Sequence, residues 1–328
     1  MKTFVYISIA MLVSLGGVFP ASAQVEWSGF FDILYSDLQK KGDGTFDYGQ
    51  FEVDLAVPLS EYISVEGALA YDAGVLGLGA GFVDFHLFGT EEGHRVRGGG
   101  LTHSGLIVGQ FDVPFGIDYQ VIPSIDRKLV TPPLVNQRTI DSWNDWGIQA
   151  YGASDRANFV LFGVNGVAGG QALGGRLGIT PIEQIEVGGS YALDMNGDGD
   201  VASTVLGMDV QASWKSLAVK GEVLRAEDDK TKGESKKHSG FYAQGIYDFE
   251  EAIGCPMFAV VRYGVWSPDY EEADAEGNPV QDLTRLTVGL GVRIVEGVEV
   301  RCELQKNGEE KTEEEDNDVI TLQVVVGY

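Results

Sequence analysis

Charged side chains recur at every second position inside apolar runs. In FEVDLAV (51–57), Glu52 and Asp54 alternate with Phe51, Val53, Leu55 and Val57. Glu66 and Asp84 hold the same kind of position, as do Asp32, Glu186, Asp209, Glu222 and Glu299. Late in the chain Arg262, Arg285, Arg293 and Arg301 take over that face. Acids on one wall and an arginine ladder on another, facing across water, would create a transverse field that sorts ions and orients dipolar solutes. Plain neutralisation fits the same residues, since Glu299 and Glu303 flank Arg301 on one face.

Other constellations are weaker. DMNGDGDVAS places Asp194, Asn196, Asp198 and Asp200 at alternate positions with Gly199 after the third, the spacing of the first half of a calcium loop. Val205 stands where the bidentate glutamate would be, so the alternative is a polar external turn. No cofactor is expected beyond Ca2+ at that turn. The four histidines are His86, His94, His103 and His238; His86 shares a face with Asp84, and His103 stands beside Ser104. No GxSxG occurs and no nucleophile, base and orienting acid come together by spacing, so the chain is not expected to be an enzyme. Cys255 and Cys302 are too few for a disulfide scaffold, and whether they pair is left open.

The elements that carry these residues are strands. Alternation of apolar and polar residues repeats in about sixteen segments of roughly ten residues, the length of a tilted membrane strand. They lie near 25–37, 47–57, 62–72, 77–88, 98–111, 144–152, 157–165, 172–180, 184–194, 203–214, 217–226, 239–249, 257–267, 283–294, 297–306 and 318–328. Their connections sort by length. PLSE, TPIE, WKSL and VEGV are tight, whereas LQKKGDGTFD, AEDDKTKGESKKHS, SPDYEEADAEGNPVQD and KNGEEKTEEEDND are long and polar. A soluble β-sandwich has no reason for that sorting, and an outer-membrane barrel has. Lipid supplies no hydrogen-bond partners, so a spanning sheet must close on itself, with apolar residues outward and charges inward. The predicted fold is therefore an all-β, transmembrane antiparallel β-barrel of about 16 strands.

The ends agree with that expectation. Residues 1–23 read as a secretory signal peptide: Lys2, an apolar run, then Ala21-Ser22-Ala23 before Gln24. Residues 24–328 then form one outer-membrane barrel domain of a Gram-negative cell. No later run has the 18 apolar residues that suggest a membrane helix. The formal charge of -26 excludes nucleic acid as a natural partner. Trp27, Tyr35, Tyr71, Trp143, Trp146, Trp214, Tyr247, Trp266 and Tyr328 are expected in aromatic girdles at the membrane interfaces. The final Tyr328 resembles the signal that such barrels present to their assembly machinery. The expected partners are outer-membrane lipid, lipopolysaccharide, that machinery and small hydrophilic solutes.

One long segment breaks the strand pattern. Residues 112–143 are rich in Phe, Ile, Val and Tyr and contain Pro114, Pro123, Pro132 and Pro133. Counted from a periplasmic start, this is the third external loop. A long apolar loop avoids water best by folding inward against the barrel wall, where it would narrow the passage. Its charged edge comprises Asp112, Asp118, Asp126, Arg127, Lys128, Arg138 and Asp141. The strand entering it reads GQFDVPFG (109–116), and with Gly109, Phe111, Pro114, Phe115 and Gly116 it resembles the phosphate-selective porin O and P type family. The resemblance covers roughly the mature chain in architecture. It implies a sixteen-stranded channel, a homotrimer, and a third loop that narrows the lumen. The phosphate selectivity of that family depends on a lysine- and arginine-rich passage, from which this mixed loop and acidic chain depart. The expectation is a porin for passive diffusion of small hydrophilic solutes or ions, with a non-conducting structural or adhesive barrel as the alternative.

Overall fold

The computed structural model describes residues 25–38, 44–72, 74–88, 103–154, 156–228, 235–269, 281–309 and 317–328. The signal peptide expected at 1–23, His94, residues 98–102 of the predicted fifth strand and most of the long polar loops lie outside the described residues.

Sixteen strands stand where the alternation placed them. They are β1 (Glu26–Leu38), β2 (Thr45–Ser60), β3 (Ile63–Asp72), β4 (Val75–Phe88), β5 (His103–Asp112), β6 (Asn144–Ser154), β7 (Ala157–Val164) and β8 (Gly169–Ile182). The second half comprises β9 (Ile185–Asn196), β10 (Val201–Trp214), β11 (Leu217–Asp228), β12 (Lys236–Asp248), β13 (Met257–Pro268), β14 (Leu283–Val295), β15 (Val298–Glu309) and β16 (Val319–Gly327). Each pairs antiparallel with its chain neighbours, and β1 pairs with β16 to close the barrel. Closure removes both sheet edges, so no row of backbone donors is left unpaired. Among the described residues a 3-10 turn (Asp118–Val121) and two short α-helices interrupt the pattern, α1 (Leu134–Thr139) and α2 (Phe249–Ile253).

Loop sorting has exceptions. β3 and β4 lie on the long-loop side of their hairpin yet are joined by residues 73–74 alone, with Gly74 in the left-handed region (φ 84) that a tight turn requires. On the short-turn side, α2 fills the β12–β13 connection, capped by Asp248, whose carboxylate accepts from the Glu250 N–H.

The burial pattern inverts that of a soluble protein. On β10 the apolar Leu206, Met208 and Val210 are exposed, while the intervening Asp209 is buried. On β15 and β16, Leu304, Ile320, Leu322 and Val324 are exposed, while Arg301, Glu303, Gln305, Thr321 and Gln323 are buried. A sheet with an apolar outer face and a buried polar inner face is stable only with hydrocarbon outside it. Among the described residues no helix is long and apolar enough to cross a membrane.

The inner face is not polar throughout. Val160, Phe162 and Val164 on β7, Leu224 and Ala226 on β11, Tyr242 on β12 and Trp266 on β13 join one buried apolar cluster. Phe111 of β5 and Val113, Phe115, Leu134 and Val135 of segment 113–143 belong to the same cluster. This corrects the expectation that inward faces carry charges and line water. An apolar partner covers that part of the wall, so period two selects the face without fixing its polarity. The girdle expectation needs correcting too. Trp27, Trp146, Trp214 and Tyr328 are exposed, but Trp266 is buried and Trp143 packs edge-on against Phe162, 5.6 Å between ring centres.

Candidate functional site

The site is built from the residue types that break the strand rule at the end of β5. Gly109 has φ 147, and a Cβ there would run into the backbone of Phe82 on β4, so only glycine lets the two strands approach. Phe111 and Phe115 are buried in the apolar cluster, and Pro114 between them is buried as well. The Val113 N–H donates to the Trp143 carbonyl (2.8 Å), which closes the base of the excursion. Gly116 lies at φ 68, its N–H donates to Ser190 Oγ on β9 (3.0 Å), and a Cβ would collide with the Glu222 carboxylate of β11. Gly109, Phe111, Phe115 and Gly116 of the family resemblance therefore each have a local physical reason.

From there segment 113–143 is fastened to strands far apart around the barrel. Lys220 of β11 donates to Asp118 Oδ1 (2.5 Å). Gln50 Oε1 on β2 accepts from the Ser124 N–H (2.7 Å) and from Arg127 (3.2 Å). Arg301 of β15 donates to the carbonyls of Ser124 (2.6 Å) and Ile125 (3.3 Å), and to Glu299 (2.5 Å). Glu303, two residues on, accepts from the N–H groups of Val130 (2.6 Å) and Thr131 (3.2 Å) and from the Thr131 hydroxyl (2.6 Å). Arg262 of β13 donates to the carbonyls of Thr131 (2.8 Å) and Pro132 (3.0 Å). A proline-rich chain cannot satisfy its own carbonyls with a regular ladder, so the guanidinium forks supply the missing donors. Pro133 then starts α1, where Asn136 donates to Glu222 (2.9 Å) and Gln137 accepts from Arg285 (3.0 Å).

The remaining predicted residues fall into place around this fastening. Asp112 ends β5 and accepts from Asn144 (2.8 Å). Lys128 donates to Glu299 (3.3 Å) and lies over the Phe258 ring, and Arg138 lies over the ring of Trp266. Asp126 and Asp141 line a cavity of about 760 Å³ bounded by the segment and by β1, β2, β8 to β13 and β16. Glu52 sits in the electrostatic field of Asp54, Asp112 and Asp126. Glu66 belongs to another group on the same wall, with Asp84, whose carboxylate accepts from Tyr151 (2.9 Å). Arg293 stands apart from the other arginines. It pairs with Asp248 (2.6 Å) and Glu250 (2.7 Å) at the short-turn end, where it pins α2 instead of segment 113–143.

The calcium-like residues are engaged in turn making. Asn196 Oδ1 accepts from the N–H groups of Asp198 (3.0 Å) and Asp200 (3.1 Å), and Asp194 accepts from those of Val167 and Ala168. Among the described residues no group of three or more His, Cys, Asp or Glu is arranged to hold a metal ion. Cys255 and Cys302 are both free thiols, and Cys302 is exposed on the outer face.

No family model and no curated protein matches the chain. Solved structures do. A loop-deletion form of OmpT, an outer membrane protein of Vibrio cholerae, superposes with TM-score 0.66 at 11% identity, over 94% of this chain and 100% of that one. The anion-selective porin from Comamonas acidovorans gives 0.65 at 11% identity, over 94% and 99%. The outer membrane channel DcaP of Acinetobacter baumannii gives 0.64 at 10% identity, over 94% and 98%. This is the porin fold. At such identities the likeness extends to architecture alone, and no match singles out the phosphate-selective family.

Within the porin fold, sequence reasoning missed Gln50, Ser190, Lys220 and Arg176. Each sits at an inward position of its strand, which alternation could have found. What alternation cannot give is the partner across the interior. Arg176 illustrates the loss: it is buried and clamps Asp209 (2.6 Å), Glu186 (2.7 Å) and Asn158 (3.1 Å), joining β7, β8, β9 and β10.

Proposed function

We propose that this chain is an outer-membrane diffusion channel whose passage is narrowed by segment 113–143. The observation that carries the reading is the fastening itself. Hydrogen bonds from one segment to β2, β9, β11, β13, β14 and β15 support a path for it across the space those strands enclose. The cavity beside it is lined by Gln50, Gln184, Gln211, Gln244 and Gln323 together with charged groups, a lining that suits hydrated solutes. No turnover chemistry is needed: solutes move down their gradients. The trimeric form of OmpT from Vibrio cholerae offers a pattern for assembly, and a homotrimer is the reading adopted for this chain.

Liposome swelling tests the proposal. Vesicles containing the purified protein should swell in isotonic solutions of small sugars, at rates that fall steeply with solute size. Vesicles that swell no faster than protein-free ones would favour the non-conducting structural barrel.

A further inference from the structure

Charge in the passage is divided by role. Six acidic residues line the cavity, Asp32, Asp118, Asp126, Asp141, Glu183 and Glu186, against four basic ones, Arg127, Lys128, Lys220 and Arg262. Each of those bases holds a partner on the protein. Arg262 is 4% exposed and grips the carbonyls of Thr131 and Pro132. Lys220 is paired with Asp118, Lys128 with Glu299, and Arg127 with the Gln50 amide oxygen. Arg301 and Arg285, which look like a lumen ladder in the sequence, are likewise committed to segment 113–143. The acids are not all committed in this way. Asp141, where the segment returns to β6, and Glu183, in the β8–β9 turn, are both exposed and line the same cavity from separate elements.

We infer that the basic residues serve to latch the segment while exposed carboxylates meet the solute, so that the passage prefers cations, with Asp141 and Glu183 among the residues that set the preference. This rests on the channel reading above and names its substrate class. A mobile ion within a Debye length of exposed carboxylates feels their field, whereas Lys220 and Lys128 already face the carboxylates of Asp118 and Glu299, and Arg262 lies in the field of Glu303. The outcome is opposite to the anion preference named for the Comamonas porin of the same fold.

The test is the reversal potential of the purified protein in a planar bilayer across a tenfold KCl gradient. The expected potassium-to-chloride permeability ratio is roughly three to ten near 0.1 M salt and falls toward one near 1 M, as the Debye length shrinks from ~10 to ~3 Å. In the Asp141→Asn, Glu183→Gln double variant the ratio should fall to about half or less, by loss of two screened charges. Asparagine tolerates the positive φ of 46 at position 141, and 183 is an exposed turn position, so the barrel should be retained. Continued conductance of the variant reports that it is folded. A parent ratio of one or below overturns the cation preference, and a ratio unchanged in a conducting variant overturns the assignment to these two carboxylates. Absence of any conductance in the parent would instead overturn the channel reading on which the inference stands.

Discussion

Replacing Glu303 with alanine should release the middle of segment 113–143 while leaving the barrel closed. Glu303 is 1% exposed and is the shared acceptor for the Val130 and Thr131 N–H groups and the Thr131 hydroxyl. Gln305 donates to that hydroxyl (2.9 Å) and does not replace the lost acceptor, so counting the two backbone bonds alone gives a lower bound. Hydrogen bonds to a charged acceptor contribute about 1.5–3 kcal/mol each, so the local loss is at least ~3 kcal/mol. At 1.4 kcal/mol per tenfold, that is about a hundredfold shift in the local opening equilibrium. Arg262 also loses an anion from its surroundings. Arg301 still holds Ser124 and Ile125, which confines the opening to the stretch beyond them. Hydrogen exchange read at the Val130 and Thr131 amides should show protection falling about a hundredfold by the same arithmetic. Single-channel current should become noisier, and Glu303→Gln, which keeps one acceptor oxygen, should lie between. Unchanged amide protection with a steady parental current would refute the latch.

Three further outcomes follow from the same geometry. Deleting residues 124–133 removes the carbonyls that Arg262 and Arg301 hold, and unitary conductance should rise while the barrel still migrates as a folded species on unheated gels. Met208→Arg places a charge on the exposed apolar face of β10 and should cost ~2–4 kcal/mol of folding free energy into lipid vesicles, measured by urea titration. A soluble barrel would be indifferent to that exchange. Arg176→Met leaves Asp209 and Glu186 buried without their cation and should cost roughly 3–5 kcal/mol in the same titration, since breaking a buried pair strands the other charge.

The strands were legible because a closed barrel in lipid imposes one rule on every residue. The outer face must be apolar and the chain must alternate, which FEVDLAV and VEVRCELQ display without any tertiary information. The fastening of segment 113–143 was legible only in outline. Its apolar composition and prolines marked it as unsuited to water, and GQFDVPFG marked where it starts. The roles of the arginines were not legible. Arg262, Arg285, Arg293 and Arg301 occupy equivalent positions in their strands, yet three hold the segment and Arg293 holds α2. The difference lies in height along the barrel and in what stands opposite, which are properties of the closed sheet. Trp266 misled for a related reason: it sits next to a strand end, but its side chain points to the apolar cluster inside.

The most direct test of the channel account is single-channel recording of the detergent-purified protein in a planar bilayer. The account predicts stepwise current increments on insertion, linear with voltage and proportional to bulk conductivity at high salt. Folded protein that inserts, as judged by gel migration from the same vesicles, and yet gives no steps would contradict it.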